Sequence, residues 1–246
     1  MFKRFIYTFL TMMLLVSVTI GASAAELTQE EIAAILAATA QAQATASASP
    51  VIDPNFQFKW DVKGIENQPY LVCVNRAMCT TTVYGKDSAG NYTIPVKAFV
   101  CSVGRKGHGT PTGRYKTGTN RYEWRLMVDG TYARYAIGIY KGIMFHSVPY
   151  FKPSIDKLEY EEYNKLGSPA SLGCIRMSIA DEYWIWANCP VGFTTVIYDD
   201  TTCPGPIGKP VPLTIDVNDT VNRNYDPTEE EYNKMLAGWK LLNGKA

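Results

Sequence analysis

The chain has 246 residues, 46% of them hydrophobic, and its 24 Lys and Arg stand against 23 Asp and Glu. A length of this order suits one sizeable domain with its own core plus flanking segments. The near-neutral balance argues against a nucleic-acid binder, whose affinity rests on clustered cations.

The N-terminal stretch MFKRFIYTFLTMMLLVSVTIGASAAE joins two cations, Lys3 and Arg4, to an apolar run from Phe5 to Ile20 and a small-residue site at Ala22, Ser23 and Ala24. The run is short for a membrane span, so residues 1–25 read as a cleaved secretory signal. The alternative is an uncleaved anchor, with membrane contact through the N-terminus only. Either way the protein is expected outside the cytoplasm, at a cell wall or in a periplasm. The formal charge of +1, less those two cations, leaves −1 for the mature chain. No cysteine stands at the cleavage point, so lipid attachment is not expected there. Residues 26–67 begin as a short helix and fade into an Ala/Ser/Thr/Gln tract that reads as a spacer.

From Tyr70 the hydrophobic period becomes two, and strands are expected at about 70–74, 79–85, 92–102, 113–118, 123–128, 132–140 and 142–146. A charged and aromatic insertion follows from Tyr150 to Pro169, with a helical turn or two in IDKLEYEEYNKLG. Ser178, with Asp181 three residues later, starts a helix through EYWIWANC that Pro190 and Gly192 stop. FTTVIYD is the last strand. The extension over 201–246 ends in a helix, where Asp226 caps and Pro227 takes the first turn. Its Tyr232, Met235, Leu236, Trp239 and Leu242 share one face, which packing on the domain explains.

Six cysteines in a secreted chain read as disulfides. If Cys174 stays free for chemistry, then Cys73, Cys79, Cys101, Cys189 and Cys203 remain, and their pairings compete. Metal binding is the weaker alternative, because no paired C-x-x-C is present and only His108 and His146 could join. His108 lies in a Gly-rich stretch, RKGHGTP, and reads as a solvated loop residue.

Two stretches carry chemistry. SLGCIRMS, at 171–178, places a cysteine between a glycine and an arginine, a poor arrangement for a core. A thiol needs a base, a cation or a helix N-terminus to become a thiolate, and His146, Arg176 and the helix at Ser178 offer all three. Gly173 permits turns that aim the amides of Gly173 and Cys174 at an oxyanion. A thiolate so activated is expected to react with iodoacetamide well below the free-cysteine pKa of about 8.5. His146 ends the apolar run GIMFH. By itself it reads as a core histidine bonded to a carbonyl, and its pairing with Cys174 makes it a base.

These residues resemble the L,D-transpeptidase catalytic domain, or YkuD-type, family, whose signature is a histidine after a strand, then [S/T]-x-G-C-x-R/N after a variable loop. The matching stretches are HSVPYF at 146–151 and SLGCIRM at 171–177, with GTPTGRY at 109–115 upstream and CPVGFTTVIYDD at 189–200 closing the domain, over residues 68–200. The resemblance implies a mostly β fold, a sandwich of mixed sheets with a few short helices. It implies Cys174 as the acyl-accepting nucleophile and His146 as its base, with Ser147, Ser171 and Gly173 shaping the site. Arg176 is the implied cation that steers substrate or supports the thiolate. The implied reaction attacks the L-centre carbonyl of a peptidoglycan tetrapeptide stem, releases D-alanine and passes the acyl group to an amine of another stem. No metal or organic cofactor is implied, and carbapenems are implied inhibitors.

Leu172 departs from the pattern, since many members carry a second histidine before the glycine. Acyl transfer to an amine also requires a thioester shielded from water, and Tyr150, Phe151, Tyr160 and Tyr163 suit a lid over a peptide groove, with Tyr150 at the substrate. An ordinary surface excursion is the competing reading of that insertion. A papain-like order is excluded because the histidine precedes the cysteine. An L,D-carboxypeptidase, with water as acceptor, and an inactive wall-binding protein of the same fold remain as alternatives.

Overall fold

The structure, a computed structural model, describes residues 63–242; the expected signal and most of the expected spacer lie outside the described residues. The domain opens with β1 (Leu71–Asn75), β2 (Thr80–Gly85) and β3 (Ile94–Val100), then β4 (Gly113–Lys116), and its sheet is completed by β9 (Thr194–Tyr198) in the order β3-β2-β1-β9-β4. β1 runs parallel to β9, and the other pairs are antiparallel. Every residue of β1 is buried, because this central strand is covered on both faces. Val72 and Val74 enter the main core. Leu71 and Cys73 pack on Tyr84, Tyr92, Val196 and Tyr198 behind it.

The second sheet, β5-β6-β7-β8, comprises β5 (Arg121–Leu126), β6 (Tyr132–Tyr140), β7 (Ile143–Ser147) and β8 (Ile175–Met177). Its inner face gives Ile137, Phe145, Ile175 and Met177 to the core that Val83 and Phe99 enter from the first sheet. The expected mixed-sheet sandwich is therefore what forms, with strand ends within a few residues of the alternation pattern. β8 is a strand that the alternation does not reveal. It is three residues long, and only its parallel partner β7 and the segment after β3, which pairs at Ser102, hold it extended.

The insertion contains α1 (Tyr160–Tyr163), and α2 (Ile179–Asn188) follows β8 directly. Ser178 caps α2 as expected, accepting from the Asp181 amide at 3.3 Å. The extension supplies the other two caps. The carboxylate of Asp226 accepts from the Ile179 amide at 2.9 Å, and the Thr228 hydroxyl from the Ala180 amide at 3.1 Å. Asp226 thus serves α2 as well as the turn into α3 (Glu229–Leu242). On α3, Tyr232 is buried against Tyr135 and Tyr183, and Met235 and Leu236 pack partly against the same cluster. Leu242 of the expected apolar stripe stays exposed. A buried Arg134–Glu229 ion pair of 2.9 Å fastens α3 to β6.

Asp226→Ala is expected to lower stability by about 1–3 kcal/mol, because the Ile179 amide loses its acceptor inside the protein. Burial pushes the Asp226 carboxyl up to about 6, so the neutral Asp226→Asn, which keeps an acceptor oxygen, is expected to restore most of that loss. Denaturant unfolding of the three chains checks this; equal stability of Ala and Asn would refute the cap.

The expected disulfides are not present: all six cysteines are free and buried. Cys79 and Cys101 do lie on neighbouring chain segments, with the Cys101 amide donating to the Cys79 carbonyl at 3.0 Å. Cys79, Cys101 and Cys189 pack in the main core as small apolar side chains.

Candidate active site

Strand alternation builds the site. β7 and β8 are in register with His146 beside Arg176 and Phe145 beside Ile175. Successive side chains point to opposite faces, so Phe145, Ile175 and Met177 enter the core, and His146, Cys174 and Arg176 share the other face. There they line one small cavity of about 80 Å³ with Asp129, Gly142 and Leu172. The Cys174 thiol points at the Gly142 carbonyl, 3.8 Å away.

The turn before Cys174 is held by two hydroxyls. Ser171 Oγ donates to the Cys174 carbonyl at 2.6 Å and accepts from the Gly173 amide at 3.0 Å. Thr110 Oγ1 donates to the Gly173 carbonyl at 2.7 Å and accepts from the Gly104 amide at 2.8 Å. Gly173 sits at φ +118°, where a side chain is strained, and an added Cβ would lie 2.5 Å from Ile143 Cδ1. Ser171 and Gly173 shape the turn as expected, but the Gly173 amide is engaged by Ser171. One amide of the expected oxyanion pair, that of Gly173, is therefore already occupied within the turn. Thr110 is a site residue that the sequence pattern does not single out, although it stands in the GTPTGRY stretch.

His146 Nδ1 lies 2.6 Å from the Ser147 carbonyl. A carbonyl only accepts, so Nδ1 carries the proton and Nε2 is the bare, basic nitrogen. Nε2 is buried with no partner. Burial first, and then the charge of Arg176, push His146 down to about 3. Ser147 serves the site through that carbonyl; its hydroxyl accepts from the Arg134 amide and donates to the Val148 carbonyl, both at 2.9 Å.

Burial also raises the Cys174 thiol, against the pull of the Met144 amide and Arg176. The resting pair is therefore thiol and neutral imidazole, and the expected preformed thiolate is corrected: removing both groups from water disfavours the ion pair. Iodoacetamide labelling of Cys174, mapped by mass spectrometry, is expected to climb with pH through and beyond about 8.5, the ordinary thiol range. A plateau below pH 7 would contradict this. Arg176→Gln is expected to shift the rise to still higher pH.

Arg176 is nearly buried, and its Nη1 donates to Glu162 Oε2 at 2.6 Å. Its expected role as a free substrate cation is thus modified: it fastens α1 to the site and acts on Cys174 and His146 through its charge. Asp129, at the β5–β6 turn, is the second residue that the sequence does not reveal. Burial would raise its carboxyl, but the Thr131 hydroxyl and amide together with Arg176 hold it below the usual range. The Asp-Gly at 129–130 reads as an ordinary hairpin turn, and nothing local marks the folding that carries it to Cys174.

Tyr150 is not at the substrate. It is fully buried with Val148, Leu158 and Tyr163, its ring edge-on to Trp124 at 5.2 Å. Of the four aromatics expected in a lid, Tyr150 and Tyr163 are core residues, whereas Phe151 is exposed and Tyr160 half-buried, and Leu158 bonds through its amide to the Asn224 carbonyl of the extension. Apolar side chains so placed anchor the segment instead of freeing it. The turn carrying Met127, Val128 and Asp129 lines the cavity that holds Cys174 and His146. His108 is exposed, as expected.

The model of the YkuD L,D-transpeptidase catalytic domain matches residues 69–197. The chain belongs to this family. YciB of Bacillus subtilis (strain 168), whose name marks it as a candidate L,D-transpeptidase, is 35% identical over 96 residues, 37% of this chain and 48% of YciB. Among solved structures, a Mycobacterium smegmatis L,D-transpeptidase is similar with a TM-score of 0.42 and 18% identity, over 53% of this chain and 58% of that one. One from Stackebrandtia nassauensis has a TM-score of 0.41 and 16% identity over 65% of each chain. The chain thus spans about half the length of YciB and under two thirds of these structures. In this YkuD domain the residues matched by the family run from just before β1 into β9, so both sheets and the whole cavity fall inside them.

Proposed function

We propose that this protein is an extracytoplasmic peptidoglycan L,D-transpeptidase acting through Cys174. The observation that carries the reading is the Nδ1–H bond of His146 to the Ser147 carbonyl, which leaves a bare Nε2 in the cavity that holds the thiol. Nε2 takes the thiol proton as the sulfur attacks the L-centre carbonyl of a tetrapeptide stem. The C–N bond to D-alanine then breaks, and the imidazolium returns its proton to the departing amine. An amine of a second stem attacks the thioester, Nε2 takes the proton that this amine loses, and the thiol is restored. The Cys174 amide is assigned to the oxyanion in this reading, since the Gly173 amide is held by Ser171. Because the imidazole stays neutral until the thiol approaches substrate, it works as a general base in the acylation step. The secretory reading of residues 1–25 supports action at the wall.

Intact-mass spectrometry after incubation with a carbapenem, and separately with a tetrapeptide stem, tests this. An adduct mapped to Cys174 with loss of D-alanine is the expected result. No adduct under reducing conditions would favour the inactive wall-binding reading. Adduct formation followed by hydrolysis alone, with an amine acceptor present, would favour the L,D-carboxypeptidase.

A further inference from the structure

The two-residue turn between β6 and β7 has two sides. On one, the Gly142 carbonyl and the Met144 amide face the sulfur of Cys174. On the other, the same turn walls an open groove of about 490 Å³. Lys116, Arg125 and Lys141 line that groove, and no acidic residue does. None of the three is in an ion pair among the described residues. Two of them are held over tyrosine rings, Arg125 at 4.6 Å from the centre of Tyr122 and Lys141 at 5.2 Å from that of Tyr140.

Lys141 occupies an unusual backbone. Its φ is +44° and that of Gly142 is +85°, the geometry of a two-residue hairpin turn whose first position favours Asn, Asp or Gly. A lysine there is kept against its conformational preference, as at sites where a side chain is needed for another purpose. The floor is equally specific: a Cβ added to Gly138 would meet nothing within 4 Å, so the absence of a side chain there leaves the groove open.

We infer that this groove binds a peptide bearing free carboxylates, one of the two stems that meet at Cys174, with Arg125 and Lys141 pairing with its carboxylates. The tyrosine rings pack on the stem's aliphatic parts, and the unopposed positive field draws in an acidic peptide. The assignment to a stem rests on the reading of Cys174 as the acylated residue.

The test uses the full chain carrying Cys174→Ala, titrated calorimetrically with a tetrapeptide stem in its free-acid form and with its carboxyls amidated. Adding Arg125→Glu and Lys141→Glu is expected to weaken free-acid binding by about tenfold or more, roughly the effect of losing two charge pairs, and to leave the amidated form unchanged. Gly138→Leu, which fills the floor without changing charge, is expected to weaken both. An equal loss for both forms in the charge variants, or no loss, would overturn the inference. In the chain that retains Cys174, a raised KM for D-alanine release assigns the groove to the donor stem. Unchanged release with a lower ratio of transfer to hydrolysis assigns it to the acceptor. A carbapenem adduct on Cys174 is expected in every groove variant. Its failure in the wild-type chain would reject the Cys174 reading while leaving the binding comparison to be judged by itself.

Discussion

Cys174→Ala is expected to abolish both D-alanine release and carbapenem adduct formation, because no other thiol among the described residues lines the catalytic cavity. The other five cysteines are buried at 4% exposure or less, and three of them pack in the main core away from the cavity. Truncation removes only the sulfur, which sits in the cavity instead of filling the core, so the chain is expected to keep its fold. Circular dichroism with a D-alanine release assay checks both halves. Turnover near the wild-type rate in a folded variant would sink the assignment of the nucleophile.

His146→Gln is expected to lower turnover by about 10² to 10⁴, the usual contribution of a positioned base. The amide can imitate the bond to the Ser147 carbonyl but cannot take a proton, so the loss reports on base chemistry more than on packing. The pH profile separates the roles further. With His146 pushed down to about 3, the base is neutral throughout the range above about pH 5, so protonation of this residue is not expected to limit the wild-type rate between pH 5 and 8. Activity is expected to increase with pH as the raised thiol of Cys174 gives up its proton more readily. A wild-type profile that falls on an acid limb near pH 6.5 would mean that the imidazole titrates at its ordinary value, contrary to its burial.

The C-terminal extension changes how such variants are interpreted. Asp226 and Thr228 cap the helix that follows Cys174 within a few residues, and Glu229 pairs with Arg134, whose own amide bonds to the hydroxyl of Ser147 beside the base. A substitution in the extension that loosens α2 therefore reaches the catalytic strand through β8, and its effect on activity is to be read together with its effect on stability.

Much of the site is legible in the amino-acid sequence. The period-two alternation of residues 132–140, the helix stop at Pro190 and the Ser178 cap are local signals, written within a few residues, and each reappears in the fold. Cys174 and His146 are legible for a different reason: a thiol between glycine and arginine, and a histidine closing an apolar strand, are residue types whose chemistry outweighs their value as packing. The stretches around them match a family pattern in the right order.

What the residues by themselves determined is the cysteine and histidine proposed as nucleophile and base, the turn glycine and the β-rich character of the domain, because those depend on side-chain chemistry and on neighbours close in the chain. Only the tertiary structure decided which charges and walls surround the thiol. Asp129 and Thr110 reach the site from segments 45 and 64 residues from Cys174 in sequence, and Arg176 is tied to Glu162 rather than left free for substrate. Tyr150 is drawn into the core by Leu158 and Tyr163. Even the protonation of the Cys174–His146 pair is a tertiary property. Burial, which no local pattern encodes, removes water from both groups and so holds them neutral until a substrate makes proton transfer worthwhile.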